Sequence, residues 1–253
     1  MIYLGENKIN KIGNGNRVYV GTNLIYQHVI DSSEPSTPIL SLPDVPFFFN
    51  YNAKDYMDGV IPNAEGGEFG EDLVITPQSV NSDSIVLGSS SFAKLYNLKS
   101  ENPLNRSGND PLTVVLKVKG LSDNRLLHLL SNRYNGHNFM VRVGEYGGVW
   151  LHTMNSAKTK VINVPFDFSQ PNICAIRCLN DGYGYAENYT TSEVGPMRET
   201  KWGDSARGFT VFGGGDSGLP ESFQNGEFYW MYITTEQLTD EQIQQVINFN
   251  ENK

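Results

Sequence analysis

The sequence predicts an all-β fold, a two-layer sandwich or a barrel closed by one terminal helix, preceded by a separate N-terminal unit of β-hairpins. Three observations lead there. Short apolar runs alternate with Gly, Asn, Asp and Ser turns from Phe47 onward. Helical periodicity is confined to Leu238–Asn250. The first 30 residues hold a tandem repeat, and a proline-rich stretch follows it.

In the repeat, Ile2-Tyr3-Leu4-Gly5-Glu6-Asn7-Lys8-Ile9 returns as Val18-Tyr19-Val20-Gly21-Thr22-Asn23-Leu24-Ile25. Each copy is a short apolar-aromatic-apolar strand, a Gly-x-Asn turn and a second short strand, which is the pattern of a hairpin. A unit of this size cannot bury enough surface to stand alone, so it is expected to dock on a partner, on further copies of itself or on the rest of the chain. Tyr3, Leu4, Tyr19 and Val20 are the residues expected to carry that anchoring.

Residues 31–46 read as a linker. Their four prolines disfavour helix and central strand, and their Ser, Glu and Asp favour water. The main domain is therefore expected over residues 47–253.

Within that domain, Leu112, Val114, Leu116 and Val118 alternate with Thr113, Val115, Lys117 and Lys119, so one face is expected in a core and the other partly wet. Phe139, Val141 and Val143 repeat the pattern against Asn138, Met140 and Arg142. Cys174 and Cys178 lie on one face of a strand with Ile176 between them and are too far apart to bridge each other, so they read as buried small hydrophobes. Asn180-Asp181-Gly182 signals a hairpin turn leading into Tyr183-Gly184-Tyr185. Residues 209–212 and 227–233 complete the clear strands. In the terminal helix, Thr239 is placed to cap Gln242 and Gln242 to return the bond. Leu238 can staple to Ile243, and Ile243, Val246 and Ile247 form one apolar stripe.

The closing residues Gly226-Glu227-Phe228-Tyr229-Trp230-Met231-Tyr232-Ile233, followed by Leu238-Thr239-Asp240-Glu241-Gln242-Ile243, resemble the last strand and short helix of concanavalin A-like (laminin-G-like) jelly rolls. Phe48–Ala53 with Gly59–Asn63 resembles that family's opening strand and turn. The resemblance covers roughly residues 47–253 and implies a two-sheet antiparallel jelly-roll sandwich; it carries little about function. The N-terminal repeat resembles the first segments of virion-associated proteins from phages and prophages of gut bacteria. That likeness implies an anchor on a particle, a linker and a lectin-like sandwich presented for surface or glycan binding. The alternative is a bacterial carbohydrate-binding module without catalytic activity.

Composition excludes other classes. The formal charge of −9, with no dense Lys or Arg cluster, does not suit a phosphate backbone, so nucleic acid is not an expected partner. No stretch approaches the roughly 20 apolar residues of a membrane span. Met1–Glu6 lacks the basic and apolar regions of a secretory leader, so synthesis in a host cytoplasm and residence in a virion are expected rather than general secretion. Fibres work as symmetric oligomers, which by analogy makes a homo-oligomer, with a trimer foremost, the expected state.

Catalytic patterns are missing. No strand carries alternating carboxylates: Glu65-Gly66-Gly67-Glu68 and Glu68-Phe69-Gly70-Glu71-Asp72 have loop spacing. His28, His128, His137 and His152 stand far apart without zinc spacing, and Asp181, Asp204 and Asp216 lack calcium-loop spacing. No enzyme activity, cofactor or metal is expected. Aromatic residues near turns remain: Tyr134, Tyr146, Trp150, Tyr183, Tyr185, Tyr189 and Trp202. Flat rings pack on the C–H faces of sugars, which makes Tyr134, Trp150, Tyr183, Tyr185 and Trp202 the candidate carbohydrate-binding residues. A sandwich core accommodates Trp150 and Tyr185 equally well.

Overall fold

In the computed structural model, the described residues are 2–4, 7–11, 17–20, 23–27, 41–63, 72–88, 91–94, 111–121, 127–131, 138–144, 148–155, 158–200, 210–211 and 226–253. For the N-terminal strands and parts of one sandwich sheet, backbone pairing alone is described. In chain order the N-terminal strands are β1 (Ile2–Leu4), β2 (Asn7–Lys11), β3 (Arg17–Val20) and β4 (Asn23–Gln27). Next come β5 (Phe48–Asn52), β6 (Val60–Ile61), β7 (Leu73–Thr76), β8 (Ser79–Val80), β9 (Ile85–Leu87), β10 (Phe92–Lys94) and β11 (Leu112–Gly120). Strands β12 (Leu127–Ser131), β13 (Asn138–Gly144), β14 (Gly148–Asn155), β15 (Lys158–Pro165) and β16 (Asn172–Cys178) follow. The last elements are β17 (Tyr183–Asn188), β18 (Glu193–Val194), β19 (Arg198–Glu199), β20 (Thr210–Val211), β21 (Gly226–Thr234) and α1 (Asp240–Glu251).

Strands β1 to β4 form their own antiparallel sheet in chain order. Its two hairpins are the two copies of the repeat, paired alike at their tips: Leu4 opposes Asn7 as Val20 opposes Asn23, and Tyr3 opposes Lys8 as Tyr19 opposes Leu24. Strand alternation then puts Leu4 and Val20 on one face of this sheet and Tyr3 and Tyr19 on the other.

The main domain is an antiparallel two-sheet sandwich. The first sheet runs β18-β17-β16-β11-β21-β9-β8, with β19 on β17 and β5 on β21. The second runs β15-β14-β13-β12-β20-β10-β7-β6. Between them lies one apolar core to which β11 sends Val114, Leu116 and Val118 and β16 sends Cys174, Ile176 and Cys178. The second sheet answers with Leu73, Ile75, Val141, Val143, Ile162 and Val164. Where β15 meets the margin of the first sheet, two glycines permit the approach. A Cβ on Gly184 would lie 3.1 Å from Ile162 Cδ1 of β15, and one on Gly195 would lie 2.0 Å from the Asn163 carbonyl oxygen.

The first sheet is covered on its outer face as well. Strand β21 makes this possible through a bulge: Val118 opposes Phe228 while Lys117 opposes Trp230, so Tyr229 is an extra residue and the side-chain alternation inverts there. Phe228, Met231 and Ile233 consequently enter the inter-sheet core, whereas Trp230 and Tyr232 face outward. On them sits α1, whose Ile243, Val246 and Ile247 form a second cluster with Val115, Ala175 and Leu238. The face of β11 expected to be partly wet is therefore split: Lys117 and Lys119 keep partial exposure, but Thr113 and Val115 are buried beneath the helix. Leu42 and Val45, inside the stretch read as linker, also join this cluster, so the packed domain begins before Phe47.

The helix starts as its sequence dictates. Gln242 N donates to Thr239 Oγ1 at 3.2 Å, and Thr239 N donates to Gln242 Oε1 at 2.9 Å. It is then bolted to the sheet by buried polar bonds. Asn250 Oδ1 accepts from Asn50 Nδ2 and Asn52 Nδ2, both at 3.2 Å, and Asn250 Nδ2 donates to Asn50 Oδ1 at 2.9 Å. Glu251 accepts from Trp230 Nε1 at 2.7 Å and from Lys117 Nζ at 2.6 Å. At the other end, the Thr113 hydroxyl donates to the Glu236 carbonyl at 2.7 Å and accepts from Leu238 N at 3.3 Å.

These contacts set graded expectations for urea unfolding. Thr239→Ala removes one cap bond and should cost about 1 kcal/mol. Asn250→Ala strands the buried amide of Asn50 and leaves Asn52 Nδ2 only its bond to the Asn250 carbonyl, and should cost roughly 3 kcal/mol. Gln244→Ala, on the exposed side of the helix, should change stability by less than about 0.5 kcal/mol. Both cysteines are free and buried, and burial raises both thiols, Cys178 to about 12. A thiol reagent at pH 8 should accordingly leave the native chain unlabelled and modify two thiols in denaturant.

Candidate functional site

Aromatic residues expected to act together are placed on different faces. On β16 and β17, Cys174, Ile176 and Cys178 point into the inter-sheet core, so Arg177 and its register partner Tyr185 belong to the outer face of the first sheet, with Tyr183 two residues away. On the second sheet Val141, Val143 and Val149 are core, which puts Arg142 and its partner Trp150 at outward register positions. Trp150 thus lies on the opposite side of the sandwich from Tyr183 and Tyr185, with two sheets roughly 10 Å apart between them. Within the glycan set, register therefore parts Trp150 from Tyr183 and Tyr185. Tyr134, Tyr146 and Trp202 lie outside the described residues.

Tyr185 belongs to a closed cluster at the foot of α1. Arg177, 5% exposed, is its centre. The guanidinium Nη2 lies 2.7 Å from Glu187 Oε2 and 2.5 Å from Asp240 Oδ1, and it donates to the Tyr189 hydroxyl at 3.1 Å. Nη1 donates to the Leu238 carbonyl at 3.3 Å, and the guanidinium carbon stands 5.5 Å from the Tyr185 ring centre. Burial works against the Arg177 charge, but Glu187, Tyr185, Tyr189 and Asp240 outweigh it and hold the group protonated. The Tyr189 hydroxyl donates to Glu187 at 3.2 Å, and burial, with Glu187 beside it, pushes its phenol above the usual range. Apart from the buried Arg177 Nε, which has no hydrogen-bond partner, the polar groups here are directed at one another or at the Leu238 carbonyl, so the chemistry of the cluster is structural: it ties β16 and β17 to the first turn of the helix.

Tyr183 is different. It follows a tight turn in which Gly182 takes φ +81° and Asp181 Oδ1 accepts from Tyr183 N at 3.0 Å, and it is 47% exposed at the sheet margin, opposite Glu199 of β19. Among the described residues no three His, Cys, Asp or Glu side chains come together as a metal site.

The second sheet offers a broader surface. Its register aligns His128 on β12, Arg142 on β13, Trp150 on β14 and Asn163 on β15 as one cross-strand row. Spaced at about 4.8 Å per strand, the row spans about 14 Å. A second row follows it, Ser131, Met140, His152 and Val161. The described helix lies on the other sheet and does not cover this face. Sequence reasoning singled out Trp150 and put Arg142 off the core, but it missed the alignment of His128 and Asn163 with them. Strand register alone brings these residues into line, and no local signal encodes that.

Arg142 is buried, at 9% exposed, and Asn163 is half-buried; an aromatic residue in register with a guanidinium and a carboxamide is a combination that sugar rings fit, the ring taking a C–H face and the polar groups hydroxyls or an acidic substituent.

No family model matches the chain, and no curated protein matches it in sequence. Solved structures do match it. The CBM40 module of the Ruminococcus gnavus IT-sialidase, bound to α2,3-sialyllactose, aligns at TM-score 0.52 and 16% identity over 65% of this chain and 96% of the module. A leech intramolecular trans-sialidase complexed with 2,7-anhydro-Neu5Ac aligns at TM-score 0.51 and 15% identity, over 66% of this chain and 27% of that one. The binding domain of botulinum neurotoxin serotype D/C aligns at TM-score 0.55 and 12% identity, over 81% of this chain and 52% of its own length. The chain therefore spans about half of the neurotoxin domain and about a quarter of the leech enzyme. What it shares with them is the fold, and the main domain is a jelly-roll β-sandwich.

Proposed function

We propose that this chain is a non-catalytic glycan-binding protein whose contact surface is the outer face of the second sheet. The observation that carries this reading is the Arg142–Trp150–Asn163 row on a face not covered by the described helix, while the other outer face is taken up by α1. The fold likeness supports it, since the R. gnavus module was solved with both α2,3- and α2,6-sialyllactose. Binding on such a surface needs no reacting group. A ring stacked on a sugar is worth on the order of 1 kcal/mol beyond the area it buries, and the flanking polar groups select among sugars.

A second reading concerns the setting. The paired hairpins of β1 to β4 form a sheet separate from the sandwich, preceding a proline-rich stretch. That favours a virion component, a fibre or decoration protein, in which residues 1–30 dock on the particle and the sandwich is presented outward. A bacterial carbohydrate-binding module is the alternative setting, and the sandwich serves it equally.

The purified full chain on a glycan array should bind a defined set of glycans. Trp150→Ala should weaken that binding about tenfold or more, and Tyr183→Ala, on the other face, should leave it unchanged. Absence of binding to any glycan, or equal loss in both variants, contradicts the assignment of the surface. For the second reading, deletion of residues 1–30 should abolish association with particles while glycan binding persists; retained association contradicts it.

A further inference from the structure

The two sheets of the sandwich differ in charge. On the first, Arg177 sits beside Glu187 and Asp240, Lys117 beside Glu251, and Lys119 beside Glu227. The eight described strands of the second contain no Asp or Glu at all, in a chain with 28 acidic residues and a formal charge of −9. They do hold Lys94, His128, Arg142 and His152, and all four occupy outward register positions. An acidic protein that keeps carboxylates out of one sheet and bases on its outer face complements an anion there.

Register gives the extent of that face. From His152 on β14 it passes through Met140, Ser131 and Thr210 to Lys94 on β10 without a break. Strands β14 and β10 are four antiparallel steps apart and therefore run parallel. Trp150 stands two residues before His152, and Phe92 stands two residues before Lys94. The two strands thus carry the same pair, an aromatic and a base, in the same orientation across the row. At about 4.8 Å per strand the pairs are about 19 Å apart, with Arg142 and His128 on the strands between them.

We propose that the ligand of this surface is a linear acidic polysaccharide lying across the strands from β14 to β10, with one sugar stacked at Trp150, another at Phe92, and its carboxylates met by the basic positions beside them. This rests on the glycan-binding reading above and narrows it. A single terminal sugar uses one aromatic and one base. Two such pairs, joined by a row without an acidic residue, match a chain in which both the ring and the charge recur. Ammonium and guanidinium groups bind carboxylates through charge-assisted hydrogen bonds, so charge adds to stacking at each position. The second position adds affinity because the first already holds the polymer close to it.

The test is affinity electrophoresis of the full chain through gels containing alginate, polygalacturonate or hyaluronan, each also in a form whose carboxylates have been reduced to alcohols. At least one acidic polymer should retard the chain, and its reduced form should bind about tenfold more weakly or less. Phe92→Ala and Lys94→Gln should each weaken binding of the long polymer about tenfold, while fragments too short to reach from β14 to β10 should bind weakly and respond little to either change. Lys94→Gln removes charge and leaves the apolar packing in place, so its effect is read apart from any loss of folding. Equal binding of acidic and reduced forms, or long-polymer affinity unchanged in both variants, overturns the proposal. Binding of neutral glycans alone also overturns it and leaves the glycan surface standing. Retention of no glycan, with or without retention of a single-stranded oligonucleotide, overturns both.

Discussion

The structure depends on burying the first sheet of the sandwich on both faces. One face is covered by the second sheet and the other by α1, and β21 is the strand that serves both. A strand alternates with period two, so a regular β21 would send Phe228, Trp230 and Tyr232 to a single side. The bulge at Tyr229 inverts that alternation, giving Phe228 to one core and Trp230 and Tyr232 to the other. Burial of the outer face then requires satisfied backbone and side-chain polar groups wherever the helix meets the sheet. The Asn50–Asn52–Asn250 cluster, the Glu251 contacts and the Thr113 hydroxyl satisfy most of them at one end and at the connection, and Arg177 with Glu187 and Asp240 at the other; the Tyr232 hydroxyl and Arg177 Nε stay buried without a hydrogen-bond partner.

This closure has a functional consequence. A sheet covered by a helix offers a ligand only its margin, where Tyr183 lies. The second sheet keeps an outer face with an aromatic position between a guanidinium and a carboxamide. The helix lands on the first sheet, so that sheet is buried on both faces and the proposed glycan surface falls to the second.

Much of the fold could be read from local pattern. The capping box at Thr239 and Gln242, the stripe Ile243–Val246–Ile247, the inward Cys174–Ile176–Cys178 set and the Gly182 turn are encoded by residues close in sequence, and each forms as read. What escaped was set by distant contacts. Thr113 reads as solvent-facing because it is polar, yet its hydroxyl bridges the chain entering the helix. Arg177 carries no local sign of its role, yet two carboxylates offset its charge in a buried corner where the Tyr189 hydroxyl also accepts from it. The candidate site was legible as a list of aromatics and not as a place: membership of different sheets parts Trp150 from Tyr183 and Tyr185, and the hairpin register of the consecutive strands β13, β14 and β15 aligns it with Arg142 and Asn163.

Native-state hydrogen exchange tests the two-sided burial most directly. If the helix is integral to the sandwich, the amides of Ile243–Ile247 should exchange with the same opening free energy as those of β11 and β21, that of global unfolding. Exchange of the helix at a free energy lower by about 2 kcal/mol or more, with the strands still protected, would show α1 opening as a separate unit and would contradict the account.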